Sequence, residues 1–206
     1  MVAVAFNHRG FGDVNARFRV YLAAPPAMEA YQQLAAIQPL QDGDIDQIYR
    51  HCGNGWRKIF NVYAKLLFAL PPPYFSFAAA ASSWQQFRDE RLLQSASNTA
   101  LCFSSPQLTH DANTLHLIAG RTLAKQLMAQ GLQAELYWLS AEFAVDPARK
   151  LLVTPFFDYR QLNNEKIAIS ASLLNMLAKS DATDHLAAMA AAVQTPPFSK
   201  LPAAVE

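Results

Sequence analysis

Five basic side chains, Arg50, Arg57, Lys58, Lys65 and Arg88, fall between residues 47 and 88, a stretch with no acidic residue. Arg50, Asn54, Arg57, Asn61 and Lys65 step by four, three, four and four residues, a spacing that predicts one face of a helix. A cationic, amide-bearing stripe of this kind can hold a phosphate, a carboxylate or a nucleic-acid backbone through charge-assisted hydrogen bonds. Gly53 and Gly55 would let a ligand approach the main chain closely. Asn54 and Arg57 are therefore candidate ligand-binding residues. The competing reading is a solvated helix face whose cations pair with carboxylates such as Asp42, Asp44 and Asp46 elsewhere in the fold.

A second cluster lies in the run from Thr154 to Asn164, where a carboxylate, a phenol, a guanidinium and three amides follow one another from Asp158 onwards. The run follows a predicted buried strand and precedes a helix, so it would sit beyond the carboxyl end of a strand, where open α/β sheets bind ligands. Asp158 is the candidate general base. Tyr159, Arg160 and Asn163 are candidate ligand contacts. The scaffold alternative is a local Asp158–Arg160 ion pair, with Asn163 or Asn164 capping the helix. A third candidate is the turn Ala119-Gly120-Arg121-Thr122, where a strand passes into a helix whose first N–H groups, with Arg121, could bind an anion. One glycine is not a phosphate loop, and a plain strand-to-helix turn is the favoured reading. Trp84, Phe87 and Arg88 form a fourth group that could stack a base.

Other chemistries find no support. The chain carries neither the dinucleotide fingerprint nor the Walker pattern, and no Gly-x-Ser-x-Gly nucleophile turn. His8, His51, His110, His116 and His185 are scattered, with no metal-ligand spacing to one another or to cysteine, so neither a metal nor a cofactor is expected. A Cys102–His116 dyad on neighbouring strands is one conceivable arrangement, but Cys102 between Leu101 and Phe103 reads as a small core residue.

The elements that must position these groups follow from composition and period. At 52% hydrophobic and 16% charged, the 206 residues can build a core and are too apolar for a disordered chain. Length predicts a single α/β domain over residues 1–206, with a loose arm over about 1–17 and an extended tail over about 195–206. Two cysteines exclude a disulfide scaffold, and a net charge of +1 gives no global field that recruits nucleic acid or a membrane. No secretory signal or membrane span is legible, so a cytoplasmic protein is expected.

Arg17 to Ala23 reads as a strand entering a buried sheet, and Met28 to Ile37 as a short helix. Asp44 is the expected N-cap of the next helix. Apolar residues from Ile45 to Leu70 recur at three- and four-residue steps, predicting either one strained helix or two that meet at Gly53-Asn-Gly55. A helix is expected over Trp84 to Gln94, and strands over Asn98–Ser104 and Thr114–Ala119. A helix over Arg121–Gln130, strands over Ala134–Leu139 and Leu151–Phe157, and a helix over Asn163–Lys179 follow. An Ala-rich helix over Asp184–Val193 completes the series. The central strands lack clean alternation and are separated by helices, which predicts a three-layer α/β fold with a mostly parallel central sheet flanked by helices.

Residues 98–178 resemble the tail of the uracil-DNA glycosylase-like fold, through Leu117-Ile-Ala-Gly-Arg-Thr leading a helix and Leu152-Val-Thr-Pro155 with Arg160 downstream. The resemblance implies a late loop with His-Pro-Ser and an early loop with an acidic or amide residue. Here Thr154-Pro155-Phe156 replaces the first, and the early turn Ala23-Ala-Pro-Pro-Ala has no carboxylate until Glu29. The whole chain also resembles an uncharacterised bacterial protein family, through Gly-Asn-Gly-Trp-Arg and Phe-Asp-Tyr-Arg-Gln-Leu; that resemblance implies no activity. The function expected is binding of an anionic small molecule or nucleotide, with catalysis left open. The alternatives are a non-enzymatic interaction protein, including a homodimer, and a degenerate glycosylase-like nucleic-acid binder. Near-neutral charge argues against nucleic acid as the partner.

Overall fold

The computed structural model describes residues 8–71, 75–108, 113–179 and 182–194. At its centre is β2 (Phe18–Tyr21), which pairs in parallel with β4 (Thr99–Cys102) on one side and with β5 (Leu115–Ala119) on the other. β8 (Leu151–Thr154) extends the parallel array beyond β5. An antiparallel pairing borders these four on each side, β1 (Gly10–Gly12) with β4 and β7 (Ala144–Asp146) with β8. β3 (Ile37–Gln38) lies outside β1, and β6 (Tyr137–Trp138) lies outside β7. The eight-stranded order is β3-β1-β4-β2-β5-β8-β7-β6. The fold is thus the three-layer α/β architecture expected, with parallel strands at its core.

Both faces of the sheet are buried, which explains the near-continuous apolar strands. Phe18, Val20, Leu101, Leu117 and Leu152 face one layer, formed by α2 (Asp44–Cys52), α3 (Asn54–Phe68), α4 (Trp84–Glu90), α6 (Asn164–Leu177) and α7 (Leu186–Gln194). Tyr21, Cys102, Ile118 and Val153 face the other, where α5 (Arg121–Ala129) supplies Ala124 and Leu127. The helical period from Ile45 to Leu70 resolves as two helices. Gly53, at φ 79° and ψ −171°, closes α2 and opens α3.

Several boundaries differ from expectation. Gly10–Gly12, inside the segment expected to be a loose arm, form a fully buried strand. The helix expected over Met28–Ile37 shrinks to α1 (Glu29–Gln32), because Ile37 and Gln38 pair with β1 instead. Asp44 is the first residue of α2 rather than its cap; its carboxylate turns back to accept the Gln41 N–H at 2.7 Å. α4 ends at Glu90, four residues early. Over Ala134–Leu139 only Tyr137 and Trp138 enter the sheet, since the Glu135 N–H bonds the Asp146 carboxylate at 2.7 Å instead of a ladder carbonyl. β7 carried no strand expectation. The expected tail over 195–206 lies outside the described residues, as do residues 1–7 of the arm. No helix among the described residues is long and apolar enough to cross a membrane.

Two glycines make opposite predictions. Gly12 has φ 112°, and a Cβ there would stand 2.1 Å from the Thr99 carbonyl oxygen across the β1–β4 ladder. Gly12→Ala should therefore destabilise the protein by about 2 kcal/mol or more. Gly55 lies inside α3 with nothing within 4 Å of an added Cβ. Gly55→Ala should stabilise by about 0.5 kcal/mol. Urea midpoints at constant m-value give both signs, and a Gly12→Ala midpoint equal to the parent's would refute the close approach.

Candidate functional site

The carboxyl ends of the parallel strands β2, β5 and β8 open into a cleft of about 490 Å³. Its floor comes from Ala23 after β2, Ala119 and Gly120 after β5, and Pro155 and Phe156 after β8. α5 begins at this rim. Gly120, in its N-cap position, has φ 113° and offers no side-chain cap. The Gly120 N–H bonds the Thr154 carbonyl at 2.9 Å, which ties the β5 and β8 turns together. The first-turn N–H groups of Arg121, Thr122 and Leu123 have no acceptor four residues back within the helix, so they carry the positive end of its dipole into the cleft.

Two charged side chains line this cleft, Arg121 and Glu142. Glu142 is neutralised by Lys166 of α6, with Nζ 2.7 Å from one carboxylate oxygen. Arg121 is held by neutral partners. Its guanidinium donates to the Ala141 carbonyl at 3.1 Å and lies 5.7 Å from the centre of the Trp138 ring. Its charge is therefore positioned but, among the described residues, not cancelled by a carboxylate. Phe156, 37% exposed, and Gln161 form the wall on the β8 side, and Gln126 lies one helical turn along α5 from Thr122.

The structure separates the sequence candidates. Arg121 lines the cleft. Asn54, Arg57, Asp158, Tyr159, Arg160 and Asn163 are not among its lining residues. The Asp158 run does meet α3, through Lys58: its ammonium lies 2.8 Å from Asp158 Oδ2 and 5.0 Å from the Tyr159 ring centre. Asp158 Oδ1 also accepts the Arg160 N–H at 3.0 Å. The Lys58 hydrogen bond, then the Arg160 N–H, hold the Asp158 carboxyl below its ordinary range. That makes it a weaker base. Asn163 caps α6, accepting the Lys166 N–H at 3.0 Å. Asn54 opens α3, and Arg57 is exposed without an ion pair among the described residues.

The cationic stripe does not persist as one face. Gly53 breaks it, leaving Arg50 on α2, paired with Asp46 at 2.7 Å. Asn61 accepts from Arg88, which is also paired with Asp89. Lys65 and Arg88 both lie over the Trp84 ring, at 5.0 and 5.6 Å, and Phe87 is fully buried, so the expected base-stacking group is internally occupied. Asp46 and Asp89 stand just outside the acid-free stretch from residue 47 to 88, which is how the window concealed its counter-ions. The Cys102–His116 dyad is also dismantled. β2 lies between their strands, and the Tyr21 hydroxyl shares a 2.8 Å hydrogen bond with His116 Nδ1. Burial pushes the Cys102 thiol up to about 12, so it is no nucleophile at neutral pH.

Sequence reasoning passed over Gln126, Ala141 and Glu142. The i, i+4 spacing from Thr122 could have drawn attention to Gln126. Ala141 and Glu142 arrive from the β6–β7 turn, for which local sequence held no signal.

Fold and cleft together define a three-layer α/β protein with a ligand-sized opening at the carboxyl ends of its parallel strands. Residues 9–175 match the model of a family of unknown function (DUF6942), and the chain belongs to that family. No curated protein and no solved structure matches it.

The Lys58–Asp158 pair sets a pH dependence. The folded carboxyl is held below its ordinary value of 3.8. Its contribution to stability is therefore complete above that value and is lost as pH falls through the lower folded-state value. Asp158→Asn keeps the acceptor for the Arg160 N–H and removes the ion pair. It should lower stability by about 1 kcal/mol or less at pH 7, and the gap from the parent should close below about pH 4. Paired urea titrations at pH 7 and pH 2.5 measure this; a gap unchanged at the lower pH would contradict the assignment.

Proposed function

We propose that this protein binds a small anionic molecule, a nucleotide or another phosphate- or carboxylate-bearing metabolite, in the cleft beyond β2, β5 and β8. The observation that carries the reading is the uncapped amino end of α5, with Arg121 beside it, facing an opening whose one carboxylate is already paired with Lys166. Main-chain N–H groups and a helix dipole favour negative charge there. Arg121 adds a fork of donors held in place by Ala141 and Trp138. Phe156 offers an apolar wall for the body of the ligand, and Thr122, Gln126 and Gln161 offer neutral hydrogen-bonding groups. A volume near 490 Å³ suits a small metabolite.

The reading is one of binding. The early turn from Ala23 and the late turn at Thr154-Pro155-Phe156, which the glycosylase-like resemblance aligns with catalytic loops, meet at this cleft but bring no histidine or carboxylate to it. Asp158 gives up base strength to Lys58.

Thermal unfolding against nucleotides, sugar phosphates and small carboxylates at millimolar concentration tests the proposal. A ligand at ~100 times its Kd should add about 2.7 kcal/mol to native stability, a shift of several degrees. Arg121→Ala should weaken that ligand by at least about tenfold, and Arg121→Lys should restore part of the loss. A flat panel, or an Arg121→Ala variant that binds like the parent, would overturn it.

A further inference from the structure

The opposite end of the sheet holds a second cavity, of about 370 Å³. All four parallel strands begin beside it. Arg17 precedes β2, Ser97 and Asn98 precede β4, Leu115 opens β5, and Lys150 precedes β8. Arg91, just past α4, faces the same space. Among the described residues the lining carries three cations and no carboxylate. Neither Arg17 nor Arg91 makes an ion pair or a side-chain hydrogen bond among the described residues. Lys150 Nζ donates to the Ala178 carbonyl at the end of α6, at 3.3 Å, a neutral partner that holds the ammonium in place without cancelling it.

Elsewhere Arg50, Lys58, Arg88, Arg149 and Lys166 each pair with a carboxylate, while Arg57, like the cations here, makes no ion pair among the described residues. The backbone around the cavity is also unusual. Leu93, Ala96, Asn98 and Lys150 are the described non-glycine residues with positive φ, at 49–60°, and the last three line the cavity. Left-handed backbone at such residues is costly and gathers at ligand-binding segments. Here it is held by buried side chains: the Leu93 N–H bonds Thr99 Oγ1 at 3.2 Å, and Ser97 Oγ lies 2.9 Å from the same oxygen. Phe75, largely buried in the core, and Phe77 give the wall an aromatic side, beside Ser76, Leu115 and Ala178. The rings of Phe75 and Phe77 stack with centroids 6.0 Å apart and planes 26° from parallel.

We propose that this cavity binds a phosphomonoester with an aromatic body, the chemistry of a nucleoside monophosphate. A phosphomonoester carries about −1.5 to −2 charge at pH 7, which suits a lining of three cations better than the charge of a single carboxylate does. Arg17 and Arg91 grip the phosphoryl oxygens as guanidinium forks, Lys150 adds a point charge, and Asn98 contributes an amide. The base lies against the Phe75–Phe77 wall. The site is separate from the cleft of the proposed function and stands without it.

Titration calorimetry with AMP, inorganic phosphate and adenosine tests it on the full chain. AMP should bind, and adenosine and phosphate should each bind at least about tenfold more weakly. Arg17→Ala and Arg91→Ala, both at exposed positions, should each weaken AMP by about tenfold or more, and affinity should fall with added salt less steeply than in the parent. Arg57→Ala, at an exposed position that lines neither cavity, should leave AMP binding unchanged. No heat with AMP, or AMP affinity untouched by both substitutions, would overturn the proposal. AMP binding abolished by Arg121→Ala but not by Arg91→Ala would overturn it too, while leaving the cleft at the other end standing. Phosphate binding as tightly as AMP would refute the aromatic half of the assignment.

Discussion

β2 hydrogen-bonds in parallel along both of its edges, and that pairing constrains everything around it. A parallel partner cannot be reached by a tight turn, so the chain must leave β2, cross one face of the sheet and return in the same direction. α2, α3 and α4 fill that crossing before β4, and α5 lies on the opposite face after β5. The sheet must then be apolar on both sides. Because strand directions agree, all four carboxyl ends open at one end of the molecule and all four amino ends at the other, and the two cavities lie at those two ends.

The two ends differ in how their charge is managed. At the carboxyl end, the acid Glu142 is cancelled by Lys166, and Arg121 keeps its charge on neutral supports. At the amino end, three cations share a wall with no carboxylate among the described residues, beside a loop in which Thr99 and Ser97 hold the left-handed Leu93. With 17 basic and 16 acidic residues in the chain, uncancelled cations are not a product of overall charge.

The layers are unequal as well. Among the described residues, α2, α3, α4, α6 and α7, with Tyr31 of α1, cover one face, and α5 covers the other. On that thinner side Tyr21, His116 and Cys102 are nonetheless buried, with the hydroxyl and the imidazole satisfying each other. Desolvation keeps the thiol protonated there, so groups that look reactive in sequence serve as packing.

Much of this was legible in sequence, because the signals were local. Unalternating apolar strands at Phe18, Leu101, Leu117 and Leu152 implied a sheet buried on both faces. Gly53 marked a break or strain in the helical run, which the structure resolves as two helices, and Ala119-Gly120-Arg121 marked a strand-to-helix turn whose arginine does line a cleft. Strand order, ion-pair partners and the contents of each cavity were not legible. Asp158 found Lys58 a hundred residues away, β2 came between Cys102 and His116, and Arg17, Arg91 and Lys150 were drawn together from three separate segments. The physical reason is range: apolar periodicity and helix caps act within a few residues and are written in neighbouring letters. Coulombic pairing and the walls of a cavity depend on which distant segments the parallel sheet brings side by side, so only the tertiary structure decided them.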